Sequence, residues 1–157
     1  MSPLCPHCGA AFPSGESCRE RFDVCLAKEF EIPTTYGAVH HLTVACYMLQ
    51  HNAYSREGWL GTRHLLVQFI REGKTPAEVR RQNRHKLDSG QRKWRVTKGA
   101  KISTDGIAWT RTIADVRLDN PDAYCADVEF WAKSVLADTE KLVEEVLDGR
   151  QAAAPLS

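Results

Sequence analysis

The sequence has no apolar run that approaches the ~20 residues needed to span a membrane. No basic segment followed by an apolar one lies near Met1, so we expect no signal peptide and a cytoplasmic protein. The formal net charge is only +1, which provides no overall field for nucleic acid or an anionic membrane. Phosphate-binding glycine loops, dinucleotide motifs and serine-hydrolase signatures are also missing. Several common enzyme classes and a membrane role are therefore not indicated.

The length and composition are typical of one folded domain. A chain of 157 residues can bury about 70% of its unfolded surface, so it needs no disulfide bonds to form a core. We expect a single zinc-binding helical domain over residues 1–150 and a frayed tail over residues 151–157. No internal repeat divides the domain.

Helical periodicity is the main structural signal. Start and stop signals predict five helices, over about residues 17–30, 36–51, 57–71, 76–88 and 120–149. The last is the best defined, because Asn120 is a candidate N-cap and Pro121 follows it. Residues 91–112 lack helical periodicity, and Asp105-Gly106 is a type I′ turn signal. The predicted fold is mainly α, a small bundle with an N-terminal zinc-binding loop and an irregular segment or small hairpin near 91–112.

The strongest local motif is Cys5-Pro6-His7-Cys8-Gly9. Two thiolates at this spacing can bind one Zn²⁺, because a tight turn points both sulfurs inward and the following glycine lets the backbone turn. A redox pair of the same spacing usually begins a helix in a βαβ unit, whereas this pair lies in a loop rich in proline and glycine. We therefore interpret Cys5 and Cys8 as zinc ligands, with a redox dithiol as the alternative.

A structural zinc ion requires four ligands, and the sequence contains no second Cys-x-x-Cys pair. If the first two helices form an antiparallel hairpin, Cys18 is level with residues 48–51, since both helices rise ~1.5 Å per residue. The predicted ligands are therefore Cys5, Cys8, Cys18 and His51. His64 is the substitute if His51 is not a ligand. His40 lies ~16.5 Å along the helix from His51 and cannot share the ion.

The second helix has a polar stripe without a charged residue. On a helical wheel, one side carries His40, Thr43, Tyr47, Gln50 and His51. Uncharged donors and imidazoles suggest the wall of a buried polar site, and the alternative is a hydrogen-bond network in the core. An antiparallel third helix would bring His64 within about a turn of Tyr47. We therefore predict that Tyr47, Gln50 and His64 line one pocket beside the metal, with His40 at the far end of the stripe.

Charges are unevenly distributed along the chain. Nine Lys and Arg residues and one acid lie between residues 80 and 101, whereas residues 115–148 are mainly acidic. Two complementary solvated surfaces are the favoured interpretation. A basic patch for a phosphate, nucleic acid or another acidic partner is the alternative, which the near-zero total charge does not favour.

The Cys-Pro-x-Cys-Gly start and the pattern His-x-Leu-Thr-Val-x-x-Tyr-x-x-Gln-His over residues 40–51 resemble an uncharacterised, mainly bacterial family of unknown function. The resemblance extends to closing patterns at residues 112–116 and 131–132. That family usually has Asp-Ala at positions 45 and 46, where this chain has Ala45-Cys46. The residues that the resemblance supports are Cys5, Cys8, Cys18, His40, Tyr47, Gln50, His51 and His64. It implies no reaction.

Three functions fit these patterns. The favoured one is a non-catalytic protein in which zinc fastens the N-terminal loop to the helices. The second is a small metal-dependent enzyme that acts on a small molecule, with Tyr47, His64 or His40 as acid or base. The third is an adaptor that binds nucleic acid or an acidic partner through residues 80–101. Four protein ligands would favour the first function, whereas three ligands and a water would favour the second.

Overall fold

The computed structural model describes residues 4–82, 101–104, 106–147 and 153–154. Its helices are α1 (Cys18–Glu31), α2 (His40–Gln50), α3 (Arg56–Ile70), α4 (Pro76–Gln82) and α5 (Pro121–Leu147). Two short 3₁₀ turns lie at Tyr36–Val39 and Ile113–Asp115. The predicted mainly α fold with five helices is confirmed. Within the described residues, no helix combines the length and the apolar character that crossing a membrane requires.

Side-chain caps determine where the helices begin. The Ser17 hydroxyl accepts from the Glu20 backbone N–H, and the Glu20 carboxylate accepts from the Ser17 N–H. This capping box satisfies backbone groups that have no partner inside the helix. It places Cys18 in the first turn of α1, directly after the N-terminal loop. Asn120 caps α5 in a similar way, by accepting from the Ala123 N–H.

Helices α1 and α2 are antiparallel neighbours. Phe22, near the start of α1, stacks on Tyr47 near the end of α2, whereas Glu29, near the end of α1, accepts from Thr43 near the start of α2. The turn between the helices requires a glycine at position 37, since an added Cβ would lie 2.7 Å from the Glu29 carbonyl oxygen. The helical hairpin inferred from the sequence is therefore present.

Helix α3 is also antiparallel to α2. The indole N–H of Trp59 donates to the Leu49 carbonyl at one end of the pair, and the His41 and Phe69 rings meet at the other. Helix α5 has 27 residues, about 40 Å, and packs along α2 and α3. Its fully buried Tyr124 and Trp131 contribute to the core between these helices.

The segment after α4 is only partly described. Strand β1 (Lys101–Ile102) pairs antiparallel with β2 (Ala153–Ala154), and the chain turns where the Ile107 N–H donates to the Thr104 carbonyl. Asp105, the first residue of the predicted hairpin turn, lies outside the described residues, as does most of the basic segment. The predicted frayed tail contains the two residues of β2, and its other residues are not described. The division into residues 1–150 and 151–157 stays a prediction.

Candidate metal centre

The Cys5–Gly9 loop folds as a tight turn. The Gly9 N–H donates to the Cys5 carbonyl, and the Cys5 N–H donates to the Ala10 carbonyl, both at 2.9 Å. Gly9 has a φ of +79°, a conformation that favours glycine because it has no Cβ. The turn buries Cys8 and leaves Cys5 half-buried. Both thiols are thereby held on one short loop.

The four side chains predicted as ligands lie together. The sulfurs of Cys5, Cys8 and Cys18 and one imidazole nitrogen of His51 are all within 4.8 Å of one another. The Cys8 and Cys18 sulfurs are 3.6 Å apart, and the Cys5 sulfur is 3.7 Å from His51 Nε2. In the described part of the chain, no other group of three or more potential ligands meets the same distance limits.

These spacings fit a tetrahedral metal ion. Zinc bonds of about 2.3 Å to sulfur and about 2.0–2.1 Å to nitrogen place two sulfurs about 3.8 Å apart, and a sulfur and a nitrogen about 3.6 Å apart. The observed sulfur–sulfur and sulfur–nitrogen distances of 3.6 and 3.7 Å are close to these edges. The group could therefore hold one ion as a Cys₃His site, and its soft thiolates favour zinc over magnesium or calcium.

The orientation of His51 leaves Nε2 available as a ligand. His51 ends α2, and its Nδ1 donates to the Tyr47 carbonyl at 2.7 Å. A proton on Nδ1 leaves the lone pair on Nε2, which is the atom facing Cys5. Such a hydrogen bond on the far nitrogen is usual for metal-binding histidines.

An aromatic stack holds the His51 ring in place. Tyr47 lies between Phe22 and His51, with ring centroids 3.9 Å from Phe22 and 4.0 Å from His51. The first residues of α1 and the end of α2 are therefore joined by this packing. They also both contribute to the four candidate ligands Cys5, Cys8, Cys18 and His51, which we call the ligand group. The aromatic stack explains why an aromatic residue is placed one turn before His51.

The sulfurs of Cys8 and Cys18 compete for one proton. The hydrogen bond from the Cys18 thiol lowers the pKa of Cys8, and His51 and the Ala10 backbone lower it further. The same contact, together with burial, raises the pKa of Cys18. A negative charge is thus stabilised at Cys8 within the group. A divalent cation would remove the competition, because it favours the thiolate form of all its ligands.

The residues of the α2 polar stripe make contacts in three different parts of the structure. Gln50 is fully buried, and its amide donates to the Arg111 carbonyl and accepts from the Trp131 indole N–H. Tyr47 belongs to the aromatic stack beside the metal ligands. His40 and Thr43 contact a carboxylate near the other end of α1. The stripe is therefore divided among three separate sets of contacts, and the predicted pocket stays a prediction.

His64 lies on an exposed position of α3, outside the ligand group. Its neighbour Arg63 is the buried residue. The Arg63 guanidinium donates to the Thr139 hydroxyl, the Leu136 carbonyl and the Glu140 carboxylate. The structure therefore does not bring His64 to the other candidate ligands, and its role as a pocket residue stays a prediction. The physical reason is that residue 63 shares the core-facing side of α3 with Trp59 and Leu66, whereas residue 64 is turned away from it.

Glu29, which is only 3% exposed, is a buried site residue that the sequence patterns did not predict. Its carboxylate accepts hydrogen bonds from the Thr43 hydroxyl at 2.6 Å, from His40 Nδ1 at 2.8 Å and from the Tyr124 hydroxyl. Burial and the nearby Glu29 carboxylate raise the pKa of Tyr124. A signal was present, because Glu29 shares a helical stripe with Phe22 and Cys25.

Two clefts border the Cys5–Gly9 loop. One, of about 510 Å³, lies between this loop and a second wall formed by Thr104 and residues 106–109. The other, of about 350 Å³, lies between the loop and residues 10–19. Cys5 lines both clefts, whereas Cys8 lines only the first and Cys18 only the second.

Comparison with known proteins identifies a family without an assigned activity. The family model described as "Family of unknown function (DUF5946)" matches residues 4–140. That range contains all four residues of the ligand group and extends into α5. Neither a curated protein nor a solved structure matches the chain.

Proposed function

The chain belongs to the DUF5946 family, whose function is unknown, and we propose that it is a small zinc-binding helical protein in which the ion has a structural role. The ion fastens the N-terminal loop, residues 4–17, to the start of α1 and the end of α2. Its ligands are Cys5, Cys8, Cys18 and His51. A cytoplasmic location, where these thiols stay reduced, belongs to the same proposal.

The observation that carries the proposal is the spacing of the four donor atoms. All lie within 4.8 Å of one another, and the Cys8–Cys18 and Cys5–His51 distances match the edges of a tetrahedron around zinc. Four protein ligands complete such a shell, so no position is left for water or substrate. A closed, thiolate-rich shell is typical of structural zinc sites.

The N-terminal loop contains no helix or strand, so side-chain contacts attach it to the rest of the described structure. Its Phe12 side chain is buried, and its His7 ring contacts the His51 ring. A metal ion joined to Cys5 and Cys8 would connect this loop to both helices at once. Such a bond stabilises the folded chain, because an unfolded chain does not present the four ligands together.

The proposal is tested by metal analysis of protein produced in zinc-containing medium. We expect one zinc ion per chain in the wild type and in C125S, whose cysteine lies outside the ligand group. We expect C8S and H51A to lose most of the zinc and to melt at a lower temperature. Wild-type protein without metal, or equal zinc loss in C125S and C8S, would contradict the proposal.

The enzyme alternative differs in the metal's coordination shell. A catalytic zinc keeps one position for water or substrate. X-ray absorption of the zinc-loaded protein should detect three sulfur ligands and one nitrogen ligand if the role is structural. A shell with fewer sulfurs and an oxygen would favour the enzyme. The adaptor alternative concerns residues 80–101, of which the structure describes only 80–82 and 101, so it stays a prediction.

A further inference from the structure

The sulfur atoms of the proposed zinc centre differ in their access to small molecules. Cys8 and Cys18 are 5% and 6% exposed, whereas Cys5 is half-buried. Cys5 is also the cysteine that lines both clefts beside the loop. A small solute that enters either cleft therefore reaches Cys5.

The same centre holds a second thiol close to the accessible one. The sulfurs of Cys8 and Cys18 are each within 4.8 Å of the Cys5 sulfur. The other three cysteines do not belong to this group: Cys25 and Cys46 are buried in the core, and Cys125 contacts the Thr35 carbonyl on another part of the surface. An oxidised Cys5 would consequently find a partner without any large movement of the chain.

On the basis of the proposed zinc site, we propose that Cys5 is a peroxide-sensitive residue whose oxidation releases the zinc ion. The accessible sulfur reacts first, and Cys8 or Cys18 then forms a disulfide bond with it. The zinc centre thus acts as a reversible redox switch for the attachment of residues 4–17.

The chemistry requires one peroxide for each centre. The Cys5 thiolate attacks a peroxide oxygen, the O–O bond breaks, and a sulfenic acid and hydroxide form. The Cys8 or Cys18 thiolate then attacks the Cys5 sulfur, the S–O bond breaks, and a second hydroxide leaves as the disulfide forms. Two protons convert both hydroxides to water. Two thiolates are oxidised by two electrons in total, and the peroxide accepts those electrons.

Loss of two sulfur ligands leaves zinc with one cysteine and His51. Two ligands do not complete the tetrahedral shell, so the ion dissociates and the loop loses its connection to α1 and α2. A dithiol reductant would reverse the disulfide, and added zinc would then rebuild the centre.

The experiment uses the zinc-loaded full chain and hydrogen peroxide. Zinc release is followed with a coloured chelator, and the oxidised cysteines are identified by mass spectrometry at early times. We expect zinc release together with a disulfide that contains Cys5, and recovery after reduction with added zinc. C125S should release zinc like the wild type. If the wild type kept its zinc at a peroxide dose that oxidises Cys125, the inference would be overturned while the proposed zinc site would stay intact.

A matched pair of variants tests the assignment to Cys5. Histidine can replace cysteine as a zinc ligand, so C5H and C8H are designed to keep four ligands. We expect C5H to release zinc severalfold more slowly than C8H, because its remaining sulfurs are buried. Equal release rates, or early oxidation only at Cys8 and Cys18 in the wild type, would overturn the assignment. Wild-type protein that contains no zinc before oxidation would overturn the proposed function and this inference together.

Discussion

Tyr47 contributes to the candidate metal centre through its ring. Its hydroxyl makes no hydrogen bond within the described residues, whereas its ring is stacked between Phe22 and His51. We expect Y47F to bind zinc and to melt like the wild type. Y47A should bind zinc more weakly, because His51 loses the surface that orients it. Isothermal titration with zinc and thermal melting measure both effects.

The contrast between these two variants separates the stack from the pocket hypothesis. A pocket that uses the Tyr47 hydroxyl would be impaired by Y47F with little change in zinc content. Unchanged zinc affinity in Y47A would instead show that the stack does not support the ligand. Y54A is a suitable control, since Tyr54 is a half-buried tyrosine outside the ligand group.

Glu29 is the second residue whose role can be tested singly. E29A would leave the buried Tyr124 hydroxyl without its acceptor, and each unsatisfied buried polar group costs about 1–3 kcal/mol. Thr43 is less affected, since its hydroxyl also donates to the Val39 carbonyl. We expect the free energy of unfolding to fall by at least that amount in urea denaturation. E31A, at an exposed position of the same helix, should change stability little. Similar losses in both variants would contradict this role.

The polar residues of the core were the least predictable part of the site. Arg63 and Glu29 both occupy core-facing stripes of their helices, so a helical wheel contains the signal. Charged residues are rarely buried, however, and a histidine such as His64 is the more usual candidate for a site. Arg63 can be buried because its guanidinium donates hydrogen bonds to groups on α5, which lie 73 to 77 residues away along the chain. No local pattern specifies such a partner. The four grouped ligands were more predictable, because the rise of a helix relates residue 18 to residue 51 across one hairpin.

At the scale of helices, α1 and α2 are joined at two places. One end of the pair carries the ligand group and the Tyr47 stack. The other end carries the Glu29 carboxylate with Thr43 and His40. The ends depend on different chemistry, because only the first would respond to a metal.

This separation predicts a local response to metal removal. Chelation should increase hydrogen exchange in residues 4–17 and in the last turn of α2, whose attachments include the ligands. The Glu29 end of the pair should keep its protection, since its hydrogen bonds do not involve the metal. Hydrogen-exchange mass spectrometry with and without chelator measures both regions. An equal increase over the whole of α1 and α2 would contradict a local role for the ion.

Helix starts in the described residues were predictable because caps and prolines are local signals. The predicted end of the fourth helix, near residue 88, lies outside the described residues. Ser17, Asn120 and Pro121 begin α1 and α5 where the sequence indicated. The pairing of Lys101–Ile102 with Ala153–Ala154 was not predicted. A strand of two residues has no periodicity, and its partner is about 50 residues away along the chain.

For the whole molecule as far as it is described, α2, α3 and α5 pack against one another, and this packing contributes the largest fully buried side chains. The Trp59, Leu66 and Trp131 side chains are fully buried there. The ion would add a connection at one end of this core. Its removal is therefore expected to lower the melting temperature while most of the helical circular dichroism remains below the transition.

The α2–α3 interface also links stability to pH through His41. Burial against Phe69, and secondarily the charge of His40, lower the pKa of His41 from 6.5 to about 4. The unfolded chain therefore takes up a proton near pH 6.5, whereas the folded chain does so only near pH 4. The contribution of neutral His41 is fully present above pH 6.5. This contribution is lost as the pH falls from 6.5 to about 4, by at most ~1.4 kcal/mol for each pH unit.

H41F tests this linkage, because phenylalanine fills the same interface without titrating. We measure the free energy of unfolding of H41F and of the wild type at pH 7 and pH 5. From pH 7 to pH 5, the free energy of unfolding of the wild type should fall more than that of H41F, since only the wild type loses the His41 contribution. Acid effects at the metal ligands and carboxylates occur in both proteins and cancel. A pH-independent difference for H41F would show that His41 is not desolvated in solution, and that the α2–α3 interface is looser than its ring contact with Phe69 indicates.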